Sequence, residues 1–125
     1  METSPIFVGT YDLLKWLLAH TVTFPKTQRF LLAKRIEDAA LGFHAHIIRA
    51  GKPGGSGQDL READIELTKL RLYLRLAMDM HLLGIGQYEH VSRMVDEVGK
   101  LLGGWLRNRA SRRQRTPDAG ELLPA

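Results

Sequence analysis

The sequence has no cysteine among its 125 residues. That excludes disulfide staples, thiolate nucleophiles and every cysteine-ligated metal or iron–sulfur centre. Aromatic residues are sparse at 7%. No apolar run approaches the ~20 residues that a membrane-spanning helix requires. No alternation of β-branched and polar residues persists over a strand's length, so no sheet is expected. The opening METSPIFVGTYD carries no basic segment of the kind that begins a secretion signal, and a cytoplasmic location is the expectation. What is present is 44% hydrophobic residues in 14.1 kDa, enough for one modest core and too little for two domains.

The formal net charge is +4 and unevenly placed. Residues 1–105 carry 13 basic and 12 acidic groups. The last twenty carry Arg107, Arg109, Arg112, Arg113 and Arg115 against only Asp118 and Glu121. The excess is therefore concentrated near the C-terminus, which bears on partners rather than on fold.

Apolar spacing predicts four helices. The first covers 9–22, with Tyr11, Leu14 and Leu18 as its inner line and Leu13, Trp16 and Leu17 widening it. Pro25 breaks the chain and suits the first turn of a second helix running to Arg49. Ala33, Ile36, Ala40, Phe43 and Ile47 face inward along it, and Lys34 and Asp38 form an i,i+4 pair on the wet side. AGKPGGSG at 50–57 is the flexible connection. The third helix spans 59–83, with Leu60, Ala63, Leu67, Leu70, Leu74, Ala77 and His81 in unbroken 3,4 spacing. A second line, Ile65, Leu72, Leu76 and Leu83, lies beside it, more apolar surface than one partner helix covers. The fourth helix spans 87–109, with Tyr88, Val91, Val95, Val98, Leu102 and Trp105 inside. Gly99, Gly103 and Gly104 interrupt it at about 0.8–1.0 kcal/mol each, a cost that suggests close backbone approach to a neighbouring helix or subunit, with Trp105 packing beside them. The expected fold is an all-α, antiparallel up-down four-helix bundle over residues 1–109. Residues 110–125, without apolar periodicity, read as a basic tail that is disordered when unbound.

Catalytic arrangements are missing. His44 and His46 are two apart and point to different helix faces, the wrong spacing for a shared zinc ion. His81 reads as a buried core histidine, and His20 and His90 lie near helix ends. No Glu-x-x-His occurs, which removes the di-iron bundle enzymes. Glu37/Asp38, Glu62/Glu66 and Asp96/Glu97 sit on polar faces, with Arg93 and Lys100 placed i,i+4 from Glu97 and Asp96 as ion-pair partners. The glycine-rich loop lacks the Gly-Lys-Ser/Thr ending of a phosphate-binding loop and joins two helices, so no nucleotide cofactor or metal is expected. The remaining candidates are cations: Arg29, Lys34 and Arg35 on the second helix, Lys69, Arg71 and Arg75 on the third, and the C-terminal arginines. Such groups could meet nucleic acid or an acidic protein.

Residues 24–51, FPKTQRFLLAKRIEDAALGFHAHIIRAG, resemble the second helix of the bacterial bundle superfamily that includes the intervening-sequence proteins of large-subunit ribosomal RNA genes. ADIEL (63–67), LRLAMDM (74–80), QYEH (87–90) and DEVGKLLGGW (96–105) together are similar to its Avd branch. Avd proteins are the accessory variability determinants of diversity-generating retroelements. The similarity runs from Tyr11 to Arg109. It implies a homopentameric barrel without catalytic residues. It further implies binding to the retroelement's reverse transcriptase and its template RNA, with DNA a further candidate, in support of mutagenic cDNA synthesis. On that resemblance Arg29, Lys34, Arg35, Arg71, Arg75, Arg107 and Arg109 are candidates for reverse-transcriptase or nucleic-acid contact, and Lys69, Arg112, Arg113 and Arg115 join them as neighbouring cations. Gly99, Gly103, Gly104 and Trp105 would be structural. The alternative is a structural bundle of the intervening-sequence type with no polymerase partner.

Overall fold

The structure, a computed structural model, describes residues 4–115. The expected behaviour of the tail over 116–125 lies outside the described residues. Helix α1 is Pro5–Thr21. Helix α2 is continuous but built in three pieces: an α-turn Lys26–Gln28, a π-helical stretch Arg29–Ala33 and a long α-helix Lys34–Gly51. Helix α3 is Gly57–Asp79 and α4 is Ile85–Arg115. Each helix packs on its neighbour in sequence and α1 closes against α4, so α1 and α3 stand on one diagonal of a four-helix bundle, α2 and α4 on the other. The connections 22–25, 52–56 and 80–84 are short, which makes consecutive helices antiparallel. No strand occurs among the described residues.

The core forms where the 3,4 spacing of α2, α3 and α4 places it. Ile36, Phe43 and Ile47 of α2, Leu60, Leu67 and Leu70 of α3, and Val91, Val95 and Leu102 of α4 are all buried. Phe24, in the first connection, turns inward and closes one end of the core. Ser56 and Asp59 form a reciprocal capping box at the start of α3, satisfying amide donors that the first turn otherwise leaves open. Gln87 performs a similar task for α4, its Oε1 accepting from the Gly84 N–H at 2.9 Å.

Helix α1 begins four residues earlier than the spacing suggests, with Ser4 as N-cap and Pro5 in the first turn. Its inner line is Ile6, Thr10, Leu13, Leu17 and Thr21. Tyr11 and Leu18, expected inside, are 55% and 47% exposed. Two threonines can take core positions because their hydroxyls are satisfied within the chain. Thr10 Oγ1 donates to the Ile6 carbonyl at 2.7 Å, and Thr21 Oγ1 donates to Glu37 of α2 at 2.7 Å.

The π-helical stretch has no counterpart in the sequence reading. Its wider turn rotates the register locally, so that Leu32 and Ala33 face the core while Phe30 and Leu31 are exposed.

His81 does not continue the buried line of α3. It is exposed and adopts φ 61°, a left-handed conformation that ends the helix. The Leu82 amide turns back to the Ala77 carbonyl at 2.8 Å, the type of wrap that usually uses glycine at the left-handed position. Leu83 then re-enters the core.

Of Gly99, Gly103 and Gly104 in α4, only Gly99 meets another helix: a Cβ there would lie 2.7 Å from an Arg71 nitrogen and 3.4 Å from Leu67. Gly103 and Gly104 face only Arg107 of their own helix. The tightest approach of α2 to α3 is instead at Gly42, where a Cβ would collide with the Glu66 carboxylate. Within one chain, Gly103→Ala should therefore raise stability to denaturant by about 0.8 kcal/mol, the helix-propensity gain. Denaturant unfolding checks it, and a loss instead would mean that a second subunit approaches the backbone there.

Candidate macromolecular interface

Electrostatics divides the candidate cations into three groups rather than one face. The first lies along the α2–α3 seam. Lys34 pairs with Asp38 at 3.0 Å and Lys69 with Glu66 at 2.7 Å. The hydrogen bond and charge of Glu66 hold the Lys69 ammonium above its ordinary pKa of 10.5, with Arg35 pulling slightly the other way. Arg29 donates through Nε to the Phe24 carbonyl at 3.1 Å, bracing the π-helical stretch against the connection before it.

The second group lies on the opposite flank of α3. Arg71 crosses to Asp96 of α4 at 3.7 Å, and Arg75 pairs with Asp79 at 3.4 Å. Asp96 thus takes Arg71 in place of the expected Lys100, which sits 4.0 Å from Glu97. Glu62 lies 3.5 Å from His46, and Glu37 receives Thr21. Of the nine lysines and arginines on α2 and α3, four, Lys34, Lys69, Arg71 and Arg75, are therefore matched by a carboxylate. Exposed pairs of this kind contribute little to stability, but they weaken the local field that a polyanion would meet.

The third group is on α4, which continues as a helix to Arg115, beyond the expected end at Arg109. Arg107 and Arg112 have no carboxylate partner among the described residues. Arg109 reaches across to the glycine-rich connection, its Nη2 donating to the Gly55 carbonyl at 2.6 Å. Arg113 and Arg115 fall on the last turn of α4.

Beside this group lies a cleft of about 890 Å³ between the first turn of α1, the connection 52–56 and the outer half of α4. Its apolar part holds Phe7 and Trp105, with ring centroids 6.5 Å apart and planes tilted by 55°. Lys100, Arg109 and Arg112 are among its lining residues, and no aspartate or glutamate is among the described ones. Sequence reasoning missed Phe7 because it began α1 at Gly9. The Ser4-Pro5 pair, a helix-start signal, could have placed it inside the first helical turns.

The other sequence candidates are dispersed. His20 is stacked on Trp16 at 3.6 Å, with Nδ1 2.7 Å from the Trp16 carbonyl, and the His90 ring lies tilted 5.9 Å from the same indole. No three His, Asp or Glu side chains among the described residues are grouped to hold a metal ion. No described helix is long and apolar enough to cross a membrane.

A further feature emerges only from the fold. Tyr11 and Leu18 of α1 and its C-cap Val22 are exposed, as are Ile65, Leu72 and Leu76 of α3. Both sets read i, i+7, i+11; at 3.6 residues per turn the α3 set falls opposite the buried line of its helix, and the α1 set about a third of a turn round from its own. The bundle therefore carries two unlike apolar stripes on diagonally placed, parallel helices.

No curated protein matches the chain significantly. Its four helices, however, coincide with a family model that matches residues 6–109, and the chain belongs to the bAvd-like family of accessory variability determinants.

Proposed function

We propose that the chain is the accessory subunit of a cytoplasmic diversity-generating retroelement complex. In this reading it assembles head to tail into a homopentameric ring and binds the element's reverse transcriptase and template RNA to support mutagenic cDNA synthesis. Family membership places it among non-catalytic accessory proteins. The observation that carries the assembly is the pair of unlike apolar stripes. A two-fold dimer needs one self-complementary patch, whereas two different patches on opposite sides of a subunit suit a heterologous contact that closes into a ring. Rotation about an axis along the bundle keeps α1 of one copy parallel to α3 of the next, and their matching i, i+7, i+11 spacing lets Tyr11, Leu18 and Val22 meet Ile65, Leu72 and Leu76 in register. The fivefold closure comes from the family resemblance.

The ring supplies the function through repetition. Five copies multiply the formal charge of +4 to +20, and five displays of the same α4 arginines raise the effective concentration of cations facing one polyanion. The polymerase chemistry belongs to the partner. Coexpression with the retroelement's reverse transcriptase, followed by a salt titration of template RNA, tests the reading. The expected result is copurification and an RNA affinity that falls steeply with salt, by about 0.7 log units per tenfold salt increase for each single-strand phosphate contacted. Absence of both associations at low salt would contradict it.

A further inference from the structure

We propose that the cleft between α1 and α4 receives an unpaired nucleotide of single-stranded RNA, its base stacking on Trp105 and its flanking phosphates meeting Lys100, Arg109 and Arg112. The inference rests on the RNA-binding reading above and adds the site and the form of nucleic acid. Three features carry it. The volume of about 890 Å³ lies within the range of about 300–1,000 Å³ typical of small-ligand sites and leaves room for one nucleotide and its neighbours' backbone. Among the described residues the lining combines an aromatic floor with three cations and no carboxylate, with Glu97 outside it reaching Lys100 alone at 4.0 Å, which selects an anion that also has a flat apolar face. Lys34, Lys69, Arg71 and Arg75 of α2 and α3 each face a carboxylate, whereas Arg109 and Arg112 beside this aromatic pair face none among the described residues. A base has π-faces on which an indole can stack, and its phosphates suit guanidinium forks. An acidic peptide would satisfy the charge but would leave the flat ring pair without a matching surface.

Half-buried Trp105 is in position to report directly. The chain has two tryptophans, so a Trp16→Phe background leaves Trp105 as the sole indole. Titration of this full-length protein with a ten-nucleotide single-stranded RNA should quench its emission, and a blunt duplex of equal length should quench it far less. Trp105→Leu, in the natural background and with labelled RNA, should weaken single-strand binding roughly tenfold, in line with one lost stacking contact, and leave duplex binding nearly unchanged. Because Trp105 also packs on Phe7, the exposed pair Lys100→Gln and Arg112→Gln provides a second test free of core disturbance. It should reduce the salt slope by about 1.4, two single-strand phosphate contacts. Single-strand binding with unquenched Trp105 and unchanged affinity in both variants would overturn the cleft proposal and leave RNA binding by the ring standing. Stronger quenching by a glutamate- and leucine-rich peptide than by RNA would assign the cleft to a protein partner and overturn it as well. Failure of every RNA to bind at low salt would overturn both readings.

Discussion

Leu72→Asp should convert the assembly into folded monomers. Leu72 is 58% exposed in the single chain, so the aspartate remains hydrated when the subunit is alone and costs only the lower helix propensity, about half a kcal/mol. In the ring the same carboxylate would be pressed against the apolar α1 stripe of the next copy, away from water. An unpaired charge in that setting costs several kcal/mol, and 3 kcal/mol already weakens association about 150-fold. Light scattering should therefore report the mass of one chain at concentrations where the natural protein is larger, while far-ultraviolet circular dichroism stays helical. RNA affinity should fall with it, because fivefold presentation is lost. A variant that retains its full mass would place the contact elsewhere.

The second large effect belongs to the interior. Phe43 is 1% exposed in the middle of α2, among the largest fully buried side chains. Phe43→Ala removes the ring's transfer free energy and leaves a cavity that the bundle fills only in part, a loss of about 3–5 kcal/mol. Set against the 5–15 kcal/mol typical of a domain, that is a large fraction of the whole, and the melting temperature should drop by roughly 10–20 °C. The measurement belongs on the Leu72→Asp background, where unfolding is not coupled to subunit concentration. A shift of only a degree or two would mean that Phe43 is not the packing centre described here. The contrast is the informative part: Leu72 and Phe43 are both apolar helix residues, one acting between chains and the other within one.

That contrast was only half legible in the sequence. The inner lines of α2 and α3 could be read from spacing, because each of these helices also has charged residues to mark its wet side. Helix α1 could not. It is apolar nearly all round, so spacing alone does not choose a face. The structure chooses by placing Thr10 and Thr21 inside, where each finds an acceptor, and turning Tyr11 and Leu18 outward. An inverted pattern of this kind is expected where an outer face is itself destined for an interface. The doubled apolar line on α3 was visible at once, but its counterpart on α1 required the fold.

Other misses have local causes. His81 continues the heptad in letters, yet the chain uses that position to stop the helix in a left-handed turn. The π-helical stretch Arg29–Ala33 has no compositional mark. Helix α4 runs on to Arg115 through residues with adequate helix propensity but no apolar period. The cleft was out of reach because its two rings are almost a hundred positions apart, and neither Phe7 nor Trp105 signals the other. For the α2 and α3 cations, the sequence gives identity and the fold gives partners, and those partners shift attention towards α4.

The absence of cysteine, which removed so much chemistry at the outset, makes the central claim directly measurable. In a Leu18→Cys, Leu72→Cys double variant every thiol is an introduced one, and a short bis-maleimide can join only what the assembly brings together. Head-to-tail contact of α1 on α3 predicts a ladder of covalent species that ends at five chains, about 70 kDa from five copies of 14.1 kDa, while neither single-cysteine variant cross-links. Efficient dimer formation by either single variant, or a double variant that stays at one chain, would contradict the head-to-tail ring.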